Sequence, residues 1–231
     1  MKTIKSIFVL LAFMHFTENA YAGDVVNIDQ QSCEFSVSMP DGWDSIPSSE
    51  VRKKFGDMPI SLALYPRKQN SYFVGNYVLI SVMPTIKPLA NFNFKEIVAD
   101  IEKMAKETQT KQTDSLRVEQ KKMDNYISDS YYHICTDMQI CKDSVSITCL
   151  QDLLLTKFGY ISVSCYAKDG CALLQPRDVA KLISKNITVD EDYRYEEPEN
   201  TSVFSIRNIA ISLGIGILVF IVITFVGKKK K

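Results

Sequence analysis

The sequence predicts an α+β domain built on antiparallel strands, held outside a membrane by one C-terminal transmembrane helix. Three observations carry that expectation. Short runs of alternating polar and apolar residues end repeatedly in proline or glycine, the pattern of strands joined by turns. Two other segments follow the i, i+3, i+4, i+7 stripe of an amphipathic helix. Near the C terminus, the uncharged stretch Ile209 to Val226 runs between Arg207 and the four lysines 228–231.

Taken in order, the chain opens with Lys2 and Lys5, an apolar run from Ile7 to Phe16, and ENAYAG, whose Ala20 and Ala22 form an A-x-A site. Residues 1–22 therefore read as a secretory signal peptide. The apolar run of about ten residues is too short to cross a hydrocarbon core ~30 Å thick. At the other end, residues 207–227 read as a transmembrane helix, because an apolar stretch of about eighteen residues at ~1.5 Å each spans about 27 Å. The lysine tail 228–231 belongs in the cytoplasm by the positive-inside rule. Both ends agree on a single-pass type I topology: residues 23–190 form an exported domain, and the acidic segment 191–206 is a stalk leading into the span.

That topology changes the meaning of the net charge. The chain has 27 basic and 27 acidic residues, but setting aside Lys2, Lys5, Glu18, Arg207 and the lysine tail leaves 20 basic against 26 acidic residues. An acidic exported domain with no basic stripe argues against nucleic acid or anionic lipid as a partner.

Within the domain, Cys33, Phe35, Val37 and Met39 alternate with polar residues, and Pro40-Asp41-Gly42 then stops the strand and delivers Trp43 to the edge of the core. A short helix is predicted from Ser48, with Gly56 past its end. ISLALYP and NYVLISVMP read as two strands, each closed by proline. The stripe Phe94, Ile97, Val98, Ile101 and Met104 predicts a helix, and Asn93 with Glu96 forms a capping box at its start. NYISDSYYHIC, SVSITCLQDLLLT and GYISVSCYA read as a meander of three antiparallel strands. Pro176 opens a last helix bearing Val179, Leu182 and Ile183, and the chain leaves the domain around Ile187 to Val189.

This order, with the F-x-V-x-x-P-x-G-W strand exit of FSVSMPDGW, resembles the PsbP and Mog superfamily, to which bacterial exported PsbP-like and DcrB-like domains belong. The resemblance covers roughly Ser32 to Val189. It implies an antiparallel sheet sandwiched by helices and a non-enzymatic accessory or binding role. It transfers no functional residue, so Phe35, Pro40, Gly42 and Trp43 are read as fold determinants.

The six cysteines, Cys33, Cys135, Cys141, Cys149, Cys165 and Cys171, read as structural disulfides of an oxidising compartment. If Lys157 centres the last hairpin, Cys149 and Cys165 fall opposite each other and can bond. Cys135 and Cys141 are then placed around Met138, which leaves Cys33 for Cys171. The alternative is that Cys149 and Cys165 pack as small hydrophobes.

Candidate chemistry is sparse. His133 is the only histidine after residue 22, and packing in a strand is its expected role. No C-x-x-C pair, metal-ligand spacing, phosphate-binding loop or acid–base carboxylate pair stands out, so no catalytic, cofactor or metal residue is assigned. Ala210, Ser212, Gly214 and Gly216 form overlapping small-x-x-x-small pairs, the basis for a homodimer through the span. The expected protein is thus a non-catalytic binding or accessory component of an envelope complex, in the bacterial inner membrane with its domain in the periplasm and an unidentified envelope protein as partner. A membrane-surface enzyme of thiol-redox or hydrolytic type is the competing expectation. A lumenal domain in the endoplasmic reticulum is the competing location.

Overall fold

The computed structural model describes residues 24–198 except 31, 110–116, 143–144 and 169–171. The expected signal peptide, the span 207–227 with its small-residue face, the lysine tail and Cys171 lie outside the described residues. Among those described, no helix is long and apolar enough to cross a membrane.

Among the described residues the fold is α+β, with two antiparallel sheets and three α-helices. The strands are β1 (Val25–Gln30), β2 (Cys33–Ser38), β3 (Trp43–Ser45), β4 (Leu62–Pro66), β5 (Asn76–Pro84), β6 (Arg117–Ser128), β7 (Tyr131–Lys142), β8 (Val145–Thr156), β9 (Gly159–Lys168) and β10 (Ile187–Val189). The helices are α1 (Ser48–Phe55), α2 (Phe94–Gln109) and α3 (Pro176–Ser184). A seven-stranded sheet runs β3-β4-β5-β9-β8-β7-β6, and a three-stranded sheet runs β1-β2-β10.

The large sheet is covered on both faces. On one face, Leu150, Leu154, Val163 and Cys165 meet Val179, Ala180 and Ile183 of α3, together with Phe35, Val37 and Val189 of the small sheet. On the other, Leu153, Leu155 and Tyr160 meet Ile97 and Ile101 of α2, while Leu79, Cys149 and Tyr166 share a cluster with Phe55 of α1. Burial on two faces explains why every residue of β9 but the last is buried. Because Ser162 and Ser164 are buried as well as Ile161 and Val163, polar–apolar alternation no longer reports register.

Local chemistry sets the element ends. Gly42, at φ 78°, takes the turn between Pro40 and Trp43, and the Trp43 amide closes it on the Pro40 carbonyl at 3.1 Å. Trp43 and Phe35 are buried in one cluster. Asn93 and Glu96 cap α2 reciprocally: the Glu96 amide donates to Asn93 Oδ1 at 2.9 Å and the Asn93 amide to Glu96 Oε2 at 3.2 Å.

Three expectations are corrected. NYISDSYYHIC is not one strand but the tip of a hairpin, so the meander has four strands. Asp129 and Ser130 occupy positive φ, 49° and 68°, and make a two-residue turn without the glycine that usually marks one. The first residues of the segment read as a stalk pack on the domain instead. The Lys157 amide donates to the Tyr193 carbonyl, Arg194 bridges Thr156, and Tyr195 is buried with its hydroxyl donating to the Phe92 carbonyl at 2.7 Å.

The third correction concerns the cysteines. Thr156 pairs with Gly159, so the β8–β9 turn is centred between Lys157 and Phe158, half a residue from the expected centre. Cys149 therefore stands opposite Tyr166, and Cys165 opposite Leu150. A one-residue slip exchanges faces, which sends Cys149 toward α1 and Cys165 toward α3. Cys135 and Cys141 lie six residues apart within β7, about 20 Å at ~3.3 Å per residue, far beyond the ~7 Å reach of a disulfide. All five described cysteines are free thiols.

Burial pushes the Cys33 and Cys149 thiols up to about 12. In the unfolded chain such groups ionise near ~8.5. The folded value is the higher, so their contribution to stability is complete below about pH 8.5 and declines as pH rises toward 12. Native protein at pH 8 is expected to leave Cys33, Cys149 and Cys165 unlabelled by iodoacetamide, and urea to open all three, as read by non-reducing peptide mapping. A linked 149–165 peptide would overturn this register.

Candidate functional site

The polar residues that the fold gathers lie between the large sheet and α3. β7 and β8 pair Cys135 with Asp152, and β6 and β7 pair Tyr126 with His133. In β7, His133 and Cys135 are two residues apart and so face the same way. Ser184, the last residue of α3, arrives from above.

All four groups converge on the carboxylate of Asp152, which is 0% exposed. The Ser184 hydroxyl donates to Oδ2 at 2.6 Å and the Tyr126 hydroxyl at 3.2 Å. The Cys135 thiol donates to Oδ1 at 3.3 Å, and His133 Nδ1 lies 3.1–3.2 Å from both oxygens. The Tyr126 and His133 rings stack in parallel, 4.6 Å between centroids. Burial raises the Cys135 thiol and the Tyr126 hydroxyl well above their ordinary ranges, and the Asp152 charge adds to both effects.

A second polar contact holds the start of α3. Arg177 donates through Nη2 to Asp137 Oδ2, and its Nη1 lies 3.5 Å from Asp124 Oδ2. The hydrogen bond to Asp137 raises the guanidinium further. α3 is therefore pinned at both ends, by Arg177 at the first turn and Ser184 at the last, with an apolar contact between.

The same geometry limits the chemistry. A catalytic triad needs a serine or cysteine that gives its proton to a histidine, while a carboxylate orients that histidine from its far side. Here Ser184 and Cys135 both donate to Asp152 itself. The thiol is held protonated, and the carboxylate already accepts from four side chains. Among the described residues, no group of three or more His, Cys, Asp or Glu is placed to hold a metal ion.

Two surface clefts lie elsewhere. One, about 290 Å³, crosses the outer face of the small sheet beside Asp29, Glu34 and Asp190. The other, about 430 Å³, lies between α1 and β4 beside Val51, Arg52 and Met58. Neither contains a residue of the Asp152 cluster.

The surface has two distinct ends. At the start of β5, the Asn76 side chain accepts from the Leu173 and Leu174 amides at 2.7 and 2.9 Å and donates to the Leu174 carbonyl. This holds exposed Leu173 and Leu174 near exposed Val74. The other end carries the β6–β7 and β8–β9 turns and the chain exit, where Glu197 Oε1 accepts from the Phe94 amide at 3.1 Å. β5, nine residues long, separates the two ends by about 30 Å.

Fold and cluster define an antiparallel α+β domain whose buried polar groups fasten a helix to a sheet. The chain is similar to the solution structure of cyanobacterial PsbP (CyanoP) from Synechocystis sp. PCC 6803, at 13% identity over 73% of this chain and 94% of that one, with a TM-score of 0.43. It is also similar to a crystal structure from Bacteroides thetaiotaomicron VPI-5482, at 13% identity over 74% of this chain and 50% of that one, with a TM-score of 0.39. No protein-family model matches the sequence, and no curated protein sequence matches it either. No functional residue is transferred from these structures.

Sequence reasoning read His133 as a packing residue and did not connect it with Asp152. The available signal was Asp152 itself, a carboxylate inside the apolar run of SVSITCLQDLLLT.

Proposed function

We propose that the chain is a single-span envelope protein of a bacterium, with a PsbP-like domain on the periplasmic side of the inner membrane that acts by binding another envelope protein rather than by catalysis. The observation that carries this reading is the polarity of the domain. Its exposed Val74, Leu173 and Leu174 lie at the end of β5 remote from the chain exit, so a domain tethered through residue 198 would present them away from the bilayer. The Asp152 cluster supports the non-catalytic reading, since its hydroxyl and thiol protons are committed to one carboxylate. The motif FSVSMPDGW, with Trp43 carried into the core by the Gly42 turn, supports the PsbP-like assignment.

The test is site-specific photocrosslinking of the full chain in intact membranes. A benzophenone side chain at Leu173 is expected to give an adduct of one discrete mass, lost on Leu174→Asp, while the same probe at exposed Lys103 on α2 gives none. Equal yields at positions 173 and 103 would overturn the reading.

A further inference from the structure

At the chain-exit end of the domain, side chains of interfacial character gather around the last described residues. Ile86, two residues past β5, and Ile127, the penultimate residue of β6, are 66% and 59% exposed. Phe158, half-buried at the tip of the β8–β9 turn, lies 6.1 Å from the Tyr193 ring and has the Lys157 ammonium 5.4 Å from its own centroid. Phe94 contacts Tyr132 at 5.0 Å, and Tyr132 contacts Tyr195 at the same distance. The sheet order sets the width: from β5 to β6 there are four strand spacings of ~4.8 Å, about 20 Å in all. Tyr195 itself is buried, but exposed aliphatics, the partly exposed rings of Phe94, Tyr132 and Phe158 and a lysine are of the kind that favour the boundary between headgroups and acyl chains.

The chain outside the described residues limits where this end can go. Eight residues, 199–206, separate Pro198 from Arg207, and at ~3.5 Å each they reach no more than about 30 Å. The reach starts beside the Phe94 amide, at this same end.

We propose that this end of the domain, through Ile86, Ile127 and Phe158, rests in the headgroup region of the membrane that anchors the chain. The inference builds on the reading of 207–227 as a span. The end carries exposed Asp129, Glu191, Asp192, Glu196 and Glu197 beside Lys95 and Lys157, so the lipid surface it fits is zwitterionic, and contact comes from apolar insertion rather than from charge. The opposite end, at Leu173, stays clear of the bilayer.

Full-length chain with Cys141 and Cys171 replaced by serine, carrying Ile86→Cys, Ile127→Cys or Leu173→Cys, is labelled with an environment-sensitive fluorophore and placed in phosphatidylcholine vesicles with brominated acyl chains. Chains that melt as the parent does qualify for the comparison. Quenching at positions 86 and 127 is expected to exceed that at 173 by about threefold or more, because only those probes reach the interface. Ile86→Asp, in the chain labelled at 127, is expected to abolish the excess. Equal quenching at all three positions, in protein that stays with the vesicles through an alkaline wash, would overturn the docking and leave the span intact. Release of the protein by that wash would overturn both. An excess that appears only when other membrane proteins are present would assign this end to a protein partner and overturn the lipid contact.

Discussion

Asp152→Ala is expected to cost about 3–5 kcal/mol of folding stability, the range for removing one member of a buried charged network. Four side chains lose their common acceptor at once. Ser184 and Tyr126 hydroxyls, the Cys135 thiol and His133 Nδ1 all point at that carboxylate, and the site is too well enclosed for water to replace it readily. α3 loses its C-terminal pin, so the damage extends to the contact of Val179 and Ile183 with the sheet. Cys135→Ala, which deletes only the weakest of the four donors, is expected to cost about 1 kcal/mol. Urea denaturation of the two variants decides the matter. A loss below about 1 kcal/mol for Asp152→Ala would mean that α3 is held by apolar packing alone.

Among the described glycines, Gly159→Ala is expected to be the most damaging substitution, at about 3 kcal/mol or more. A β-carbon there would stand 2.2 Å from the Met83 carbonyl oxygen and 2.9 Å from Pro84 Cα, both backbone atoms of the neighbouring strand. Either β5 and β9 separate at this end or the β8–β9 turn deforms. Gly42 supplies the control. It also has positive φ, 78°, but no atom lies within 4 Å of its added β-carbon, so Gly42→Ala costs only the left-handed conformation, about 1 kcal/mol. Equal melting-temperature losses in the two variants would show that conformation, not the approach of β5, is what position 159 requires.

How far the sequence could be read depended on whether each element kept one face in water. α2 does, and its stripe, its start and its capping pair at Asn93 and Glu96 were all legible. The Pro40–Trp43 turn was legible because proline and glycine permit few alternatives. β6 was missed from Arg117 to Asp124 because an edge strand is protected by charges, here Glu119, Lys121, Lys122 and Asp124, with a register shift at Gln120/Lys122. Without apolar alternation, those residues look like a loop. β8 and β9 failed in the opposite way: each carries an apolar bias at its odd positions, but with both faces buried that bias does not mark one shared face or fix the register, and the odd positions of β8 in fact pair with the even ones of β9. The pairing proposed for Cys149 and Cys165 depended on that register. Asp152 belonged to the same undecidable run, so the candidate site could not be assembled before the strands were paired.

The separation of Cys149 from Cys165 by the thickness of a sheet has a kinetic consequence. While the chain is unfolded in an oxidising medium, its thiols are free to meet, and any bond between positions 149 and 165 would tie together residues that the finished sheet holds on opposite sides. Such a chain could not complete the β8–β9 hairpin. If the domain is exported as proposed, native structure has to form before oxidation does, and burial of Cys149 and Cys165 then shields both thiols. In that setting, closure of the β8–β9 hairpin is the step after which a 149–165 bond can no longer form without reopening the sheet.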